Sequence, residues 1–199
     1  GYQAGIKTVG HHLKSKIAEI NPNIFNEAFK NHDILVVAGF QGINEDFELT
    51  TLGRGGSDTT AVALAASNQT PCEIYTDVDG VYATDPRIHN EAKRLEYVSY
   101  EEMMEMSALG AGVLETRSVE LAKNYDIPLY LGRTLSNVKG TWIMSKSDLL
   151  EKNAVTGVAL DTHMMHVTIS YPLPDNQLLT QLFTALEEES VNVDMISQI

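Results

Sequence analysis

The sequence predicts an α/β fold with a mainly parallel sheet that helices cover on both faces. Between Lys16 and Met144, predicted strands alternate with predicted helices, which is typical of this class. The apolar run at residues 34–38 is typical of a strand buried on both faces, and Cys72–Thr76 is a second predicted buried strand. A glycine-rich turn, Gly53-Arg54-Gly55-Gly56, joins a β-prone stretch to a helix, and we expect it to organise the chain.

The remaining elements follow from capping signals and hydrophobic periodicity. Asn21-Pro22 predicts a helix start, and Ser99 with Glu102 forms a capping box that opens a Met-rich helix whose methionines we expect in the core. Ser57 or Asp58 is the predicted cap of the helix after the glycine turn. The predicted strands are Lys16–Ile20, 47–52, 127–131 and Thr141–Met144. The first predicted helix starts at Asn21-Pro22 and ends at about residue 30, and the other predicted helices span about 57–68, 100–109 and 113–125.

The composition changes after residue 145. Residues 145–153 are polar and predict a linker. Beyond it, 155–160, 166–170 and 191–196 are predicted strands, and 177–189 is a predicted amphipathic helix. Its apolar face consists of Leu178, Leu179, Leu182, Phe183 and Leu186. Because this β-α-β piece cannot bury both faces alone, it predicts the first half of a small α+β module.

Charge and cysteine content restrict the partners and the setting. The net charge of -13 over 199 residues argues against nucleic acid or an anionic membrane surface as a partner. No apolar run approaches the ~20 residues that a membrane-spanning helix needs. The single cysteine, Cys72, excludes an internal disulfide, fits a reduced cytoplasmic setting and is expected in the core. The paired histidines lack a matching ligand set, so no metal site is predicted.

The glycine turn has the chemistry of an anion site. Glycines let the backbone approach a ligand closely, and the N–H groups at a helix start favour a negative charge. Arg54 adds a guanidinium suited to a carboxylate or a phosphate, and Asp58 adds a carboxylate in the first turn. An ordinary glycine-rich turn with a good cap is the alternative.

Three longer motifs together resemble a known family. They are Val37-Ala38-Gly39-Phe40-Gln41-Gly42, then Thr-Thr-Leu-Gly-Arg-Gly-Gly-Ser-Asp-Thr-Thr at 50–60, then Tyr-Thr-Asp-Val-Asp-Gly-Val-Tyr at 75–82 followed by Thr84-Asp85-Pro86-Arg87. In this order and spacing they resemble aspartokinase, the amino-acid-kinase family member that phosphorylates aspartate. The tail at 155–199, with Asn-Val-Asp-Met-Ile at 192–196, resembles the start of the ACT regulatory module of these enzymes.

The resemblance implies a three-layer α/β/α amino-acid-kinase fold with a mainly parallel sheet, followed by a partial ACT module of ferredoxin-like α+β type. It implies three segments: the later part of the catalytic domain at 1–145, a linker at 146–154 and the first part of the ACT module at 155–199. The family's Lys-Phe-Gly-Gly motif, and a Glu and a Thr that contact aspartate, have no counterpart. We therefore expect the 199 residues alone to be inactive.

The implied reaction transfers the γ-phosphoryl group of ATP to the β-carboxylate of L-aspartate, giving 4-phospho-L-aspartate. It is the first step of lysine, diaminopimelate, threonine and methionine biosynthesis. The carboxylate is already ionised at neutral pH, since a model aspartate has a pKa of about 3.9, so no general base is required. The reaction needs alignment and neutralisation of charge, which fits glycine backbone, arginine and aspartate without a catalytic histidine.

By resemblance, the aspartate subsite and the ATP subsite use different motifs. Arg54 binds the α-carboxylate of aspartate, Gly55, Gly56 and Ser57 seat the substrate, and Asp58, the expected catalytic residue, orients cationic groups. The ATP site comprises Thr76, Asp77 and Tyr82 at the adenine and ribose, Arg87 at the phosphates, and Gly112 with Val113. Mg²⁺ is expected with the nucleotide, without an assigned protein ligand.

Regulation is also implied by resemblance. A feedback amino acid, lysine or threonine, is expected near Asp175 and Gln198, where ACT modules pair in a homodimer or higher oligomer. Two departures from the family pattern matter. Gly112 stands where many relatives have a lysine that contacts ATP phosphates, and Asp175-Asn176-Gln177-Leu178 replaces an Asp-Lys-Pro-Gly effector loop.

Two alternatives to aspartate kinase stay open at this point. One is another amino-acid kinase, such as one that acts on glutamate. The other is a non-catalytic regulatory subunit with an ACT module that binds an amino acid and a kinase partner.

Overall fold

The computed structural model describes residues 2–145, 155–160, 165–169 and 176–189, together with residues 191, 193 and 196. The chain divides into two compact units, Gly1–Thr162 and His163–Ile199. Residues 155–160 belong to the first unit, where Thr156 donates to Glu102 at 2.8 Å and the Val158 N–H donates to the Ala83 carbonyl at 2.7 Å. The division of the chain at residues 145 and 155 therefore stays a prediction.

The elements alternate much as predicted. The strands are β1 Ile6–Val9, β2 Lys16–Ile20, β3 Gln41–Ile43, β4 Leu49–Thr51, β5 Cys72–Thr76, β6 Tyr97–Ser99, β7 Leu129–Arg133 and β8 Thr141–Met144. The helices are α1 Pro22–Phe29, α2 Gly56–Asn68, α3 Tyr100–Ala108, α4 Thr116–Tyr125 and α5 Asn176–Glu188.

Two predicted helix starts are confirmed by their side-chain caps. The side chain of Asn21 accepts a hydrogen bond from the Asn23 N–H at the start of α1. Ser99 and Glu102 form the reciprocal capping box at the start of α3. Both caps satisfy N–H groups that a helix start leaves without intrahelical acceptors, so neighbouring residues alone set where these helices begin.

The first sheet has the strand order β2-β1-β3-β4. β1 pairs parallel with β3, whereas β1–β2 and β3–β4 are antiparallel. A buried hydroxyl pair, Thr8 with Thr50 at 2.6 Å, lies within it, and Ser15 donates to Thr50 at 3.2 Å. These buried hydroxyls satisfy one another, which ties residues 8 and 15 to the strand that leads into the glycine turn.

The second sheet has the order β5-β7-β8-β6 and carries the main core on one face. Leu129 and Leu131 of β7 and Ile143 of β8 point into that core, where they meet Val62, Met103 and Val119 of the helices α2, α3 and α4. On the other face, Tyr75 is 56% exposed and its ring lies 6.1 Å from Tyr130. The helices α2, α3 and α4 all contribute side chains to this core.

The predicted α/β class is confirmed, but the strand directions are more evenly mixed than the predicted mainly parallel sheet. Among the described strands, three pairs are parallel and three are antiparallel. β5–β7 and β6–β8 are parallel, and β7–β8 is antiparallel. Alternation along the chain predicts layers, whereas strand direction depends on how each connection crosses the sheet.

The predicted strand at 34–38 is wrong. The segment is irregular, with Ile34 81% and Val36 96% exposed. An apolar run records only the tendency to be buried, whereas a strand also needs a neighbour for its backbone hydrogen bonds, and these residues pair with no described strand. Likewise 155–160 and 166–169 form no strand in the described part of the chain, and the helix predicted at 113–125 begins at Thr116.

The second unit contains α5, which confirms the predicted amphipathic helix. Leu179, Leu182 and Leu186 are half-buried along one side, whereas Leu178 and Phe183 are exposed. Most of the predicted strand at 191–196 lies outside the described residues. In the part of the chain that the structure describes, no helix combines the length and apolar character needed to cross a membrane.

Candidate active site

The glycine turn has an unusual backbone that places a helix start at its end. Gly55 is the N-cap of α2, with φ 65° and ψ 14°, and Gly53 also has a positive φ of 78°. The predicted cap at Ser57 or Asp58 is wrong because Gly55, in the left-handed region that other residues avoid, ends the turn two residues earlier. The N–H groups of Ser57 and Asp58 donate to no acceptor among the described residues, so they stay available to an anion.

The first and second sequence motifs meet at this turn. The carbonyl of Phe40 accepts from the Leu52 N–H at 3.0 Å, and the Phe40 N–H donates to the Thr60 hydroxyl at 3.0 Å. Gly56 is buried, and a Cβ there would lie 2.8 Å from both Leu52 and Phe40. The first motif therefore supports the turn and the first turn of α2, although its predicted strand is absent.

Two cations lie at the turn. Arg54 is exposed and makes no hydrogen bond or ion pair with any residue that the structure describes. Lys14 lies beside the turn, with its Cγ 3.5 Å from the position of a Cβ at Gly53. Sequence reasoning missed Lys14, because nothing along the chain connects residue 14 to residue 53. Both side chains add positive potential to the surroundings of the turn.

Asp58 is half-buried within the first turn of α2. Burial raises the pKa of its carboxyl, hydrogen bonds from the Glu115 N–H and the Ser57 hydroxyl lower this pKa, and the negative Glu115 side chain raises it; the net shift is upward. Glu115 was not predicted to belong to the site. A half-buried carboxylate with a raised pKa gains from a cation beside it, which agrees with the expected role of Asp58 in orienting cationic groups.

The predicted nucleotide residues lie at the carboxyl end of β5. Thr76 ends the strand, and its hydroxyl donates to the Asp77 carboxylate at 3.1 Å. Arg133, at the end of the neighbouring β7, donates to the Asp77 carbonyl and also lies 3.2 Å from the Asp79 carboxylate. Sequence reasoning missed Arg133 because the predicted strand ended at 131, two residues too early.

Tyr82 and Arg87 belong to the loop that follows. Tyr82 is half-buried and forms an antiparallel bridge with Arg94. The guanidinium of Arg87 pairs with Asp85 through Nη2 to Oδ2 at 2.7 Å and Nε to Oδ1 at 3.0 Å, and its side chain is 88% exposed. This pair lowers the pKa of the Asp85 carboxyl. The positive charge expected at the phosphates is thus already partnered by a carboxylate.

Gly112 and Val113 lie in the irregular segment before α4. Gly112 is exposed, and a Cβ at this position would meet no atom within 4 Å. Its φ lies outside the left-handed region, so the backbone accepts any residue. The departure from the family's lysine therefore has no steric cause here. Val113 is half-buried against the core of the second sheet.

The other predicted features are placed as follows. Burial, with smaller effects of Asp58 and Glu73, raises the pKa of the Cys72 thiol to about 11, which fits a core residue and not a nucleophile. Asp175 and Gln198 lie outside the described residues. A cavity of about 310 Å³ on the exposed face of the second sheet is lined by Arg94, Glu96, Tyr97, Tyr130, Lys139, Gly140 and Trp142, and it contains none of the predicted site residues.

Fold and site together define an α/β protein in which a glycine-rich turn leads into the helix α2. The chain belongs to the amino acid kinase family, because that family's model matches residues 2–133. Aspartokinase 2 of Bacillus subtilis strain 168 is 45% identical to it over 199 residues, which are 100% of this chain and 49% of that relative. The chain thus spans about half the length of the curated relatives it matches.

Two solved structures of aspartokinase III from E. coli are also similar. The complex with aspartate and ADP, in the R-state, has a TM-score of 0.69 and 26% identity, and the match covers 99% of this chain and 45% of that one. The complex with lysine and aspartate, in the T-state, has a TM-score of 0.70 and 26% identity, with coverage of 99% and 46%. The similarity therefore extends through the tail as well as the first unit.

Proposed function

We propose that the protein to which this chain belongs is an aspartate kinase, which transfers the γ-phosphoryl group of ATP to the β-carboxylate of L-aspartate in the cytoplasm. One observation supports the assignment above others. The turn at 53–58 combines two N–H groups that have no acceptor among the described residues, a half-buried Asp58 and an Arg54 that pairs with no described residue. An amino acid with two carboxylates and one ammonium group complements this arrangement of charges.

At this turn the chain's own residues bind and orient the nucleophile. Arg54 binds the α-carboxylate in a bidentate pair, which leaves the β-carboxylate to face the nucleotide. Asp58 lies next to the substrate ammonium, and its raised pKa falls back when that cation arrives. No residue has to remove a proton, because the β-carboxylate is ionised at neutral pH.

On the nucleotide side, the turn at 76–79 and the segment at 110–113 supply most of the binding surface. Thr76, Asp77 and Tyr82 contact the adenine and ribose, and Arg87 turns from Asp85 toward the phosphates. Mg²⁺ accompanies the nucleotide and neutralises phosphate charge when bound. The described residues contain no group of three or more histidine, cysteine, aspartate or glutamate side chains suited to a metal, so the phosphates supply most of its ligands.

The assignment is tested with the full-length protein, ATP and either L-aspartate or L-glutamate, with hydroxylamine to trap the acyl phosphate as a hydroxamate. We expect aspartate to react about 10–200-fold faster, because one methylene is worth that much discrimination in a fitted site. Faster hydroxamate formation with glutamate would favour the other kinase class. Calorimetry that detects no ATP binding would favour a regulatory subunit.

We further propose that lysine is the feedback effector, bound near Asp175 and Gln198, and that the protein dimerises through its ACT region. One of the similar E. coli aspartokinase III structures is a complex with lysine and aspartate. On α5, Leu182 is half-buried on the apolar side, whereas Thr184 is exposed. Leu182→Asp should give monomers in sedimentation that have lost lysine inhibition, and Thr184→Asp should behave as wild type. A dimeric, normally inhibited Leu182→Asp variant would contradict the proposal.

A further inference from the structure

Two residues at the start of α4, Glu115 and Arg117, contact the glycine turn or the residue directly before it. The backbone N–H of Glu115, the N-cap of α4, donates to the Asp58 carboxylate. The Glu115 side chain also lies over Gly55, since a Cβ there would overlap with its Cβ and Cγ. Two residues further on, Arg117 donates to the carbonyl of Leu52, directly before Gly53, at 3.1 Å.

Arg117 is bound on two sides by backbone. Its Nη1 donates to Leu52, and its Nη2 donates to the Ser15 carbonyl at 3.1 Å. Ser15 is itself fixed, because its N–H and its hydroxyl both donate to the Thr51 carbonyl at 2.9 Å. The guanidinium thus joins three segments that are distant in sequence: residue 15, the end of β4 and the start of α4. Two of its five N–H donors are thus held by backbone carbonyls that flank the turn.

The same short segment is continuous with the predicted nucleotide site. Residues 110–114 lead directly into Glu115, and Leu114 is buried in the core. A displacement of the segment when a nucleotide binds would therefore reach Leu52, Gly55 and Asp58 through contacts at residues 115 and 117.

We propose that Arg117 is a positioning residue that holds the glycine turn in its aspartate-binding conformation and transmits nucleotide occupancy to aspartate affinity. The proposal deepens the proposed function and rests on it, because the ligand at the turn is taken to be aspartate. Arg117 itself contacts no substrate. A charge-assisted hydrogen bond to a buried carbonyl holds its acceptor more strongly than a neutral one, so the loss of two such bonds releases the Leu52 end of the turn.

The test compares Arg117→Ala and Arg117→Lys in the full-length enzyme. The matched control is Lys123→Ala, on the same helix as Arg117. It removes an exposed ion pair in which the Lys123 ammonium lies 2.9 Å from the Glu101 carboxylate. For Arg117→Ala we expect the KM for aspartate to rise by about tenfold or more, and the Kd for ATP without aspartate to change by less than about twofold, because loss of coupling alters ATP affinity only when aspartate is bound. Arg117→Lys retains one of two bonds and should fall between wild type and Arg117→Ala. Lys123→Ala should leave both constants unchanged.

The coupling is measured by calorimetry with a non-hydrolysable ATP analogue. In wild type we expect the Kd for aspartate to be lower with the analogue bound than without it. In Arg117→Ala we expect the ratio of these two Kd values to approach one. Glu115→Ala gives a second route if Arg117→Ala folds poorly, since it removes the Glu115 side chain beyond Cβ from above Gly55 and keeps the backbone N–H to Asp58. An unchanged aspartate KM, or an equal rise in both constants, would overturn the positioning role.

Amide hydrogen exchange separates this inference from the proposed function. Without any substrate, residues 53–58 should exchange faster in Arg117→Ala than in wild type, and residues 121–125 should not change. If wild type shows no aspartate-dependent turnover but the exchange result holds, the function is wrong and the positioning of the turn stands. If turnover is normal and exchange at 53–58 is unchanged, Arg117 has no positioning role.

Discussion

Arg133 holds the carbonyl oxygen of Asp77 with two donors, Nε at 3.1 Å and Nη2 at 2.8 Å. The contact follows from strand register, because Arg133 pairs with Thr76 where β5 and β7 run parallel. Thr134 adds a second link, since its N–H and its hydroxyl donate to the Thr76 carbonyl at 2.9 and 3.1 Å. The turn at 76–79, where we place the nucleotide, is therefore fixed from the neighbouring strand.

Replacement of Arg133 should weaken nucleotide binding selectively. Arg133→Ala removes two hydrogen bonds to Asp77 and the ion pair with Asp79, so we expect the KM for ATP to rise by about tenfold in the full-length enzyme. Arg133→Lys, a point donor that cannot bridge both partners, should give a smaller rise. Steady-state kinetics with each substrate varied in turn measures the effect, and a change confined to the aspartate KM would contradict it.

Replacement of Arg54 should have the opposite selectivity. Arg54→Ala removes a bidentate charge-assisted pair with the α-carboxylate, worth ~1.5–3 kcal/mol, so the KM for aspartate should rise well beyond tenfold. The constant for ATP should change little. Lys30→Ala is the control, because it removes an exposed cation that pairs with Glu27 in α1. If the KM for ATP rises more than the KM for aspartate, the two subsites are assigned in reverse.

We expect the Asp58 carboxylate to lower the stability of the fold at neutral pH, although the proposed kinase function requires it. Its pKa is raised in the folded protein, mainly by burial. A carboxyl of this kind stabilises the fold fully below its ordinary value of 3.8 and loses that contribution as pH rises through the folded value. Asp58→Asn should therefore raise Tm at pH 7, and the gain should shrink on acidification toward 3.8. Activity should fall by about 10²-fold or more.

Asp85→Asn is the control for the pH dependence, because the Arg87 guanidinium lowers the pKa of Asp85. This substitution should lower Tm slightly at pH 7, and the loss should vanish as pH falls through the depressed value. Thermal unfolding of both variants from neutral pH to below 3.8, the ordinary pKa of an aspartate, measures the two signs. If both substitutions changed Tm in the same direction at pH 7, the environments assigned to Asp58 and Asp85 would be wrong.

Gly112→Lys should strengthen ATP binding. The position is open, with no atom within 4 Å of a Cβ, so the side chain fits without rearrangement. It would add one cation to a site where Arg87 is already paired with Asp85. We expect the Kd for ATP to fall about three- to tenfold, as an added charge-assisted contact allows. Gly112→Ala should leave it unchanged. Tighter ATP binding in both variants would show that the gain comes from a stiffer backbone and not from the added charge.

Neighbouring residues were enough to predict the local features of this protein. The caps at Asn21 and Ser99, the helix after the glycine turn and the amphipathic α5 all follow from short stretches of sequence, and all are confirmed in type, although the helix after the glycine turn is capped by Gly55 and not by Ser57 or Asp58. The motif at 50–60 identified the candidate anion site, because glycine, arginine and a helix start combine there within a few residues. Such signals depend on interactions that span a few residues, which a sequence displays directly.

Features that depend on distant partners were set by the packing of the whole chain. The apolar run at 34–38 is no strand because it pairs with none of the described strands, although its composition predicted one. Lys14, Glu115 and Arg117 reach the glycine turn, and Arg133 reaches Asp77, only because folding brings residues together that are distant in sequence. Register and chain crossings set these contacts, and both are determined by how whole elements pack, which no local pattern in the sequence records.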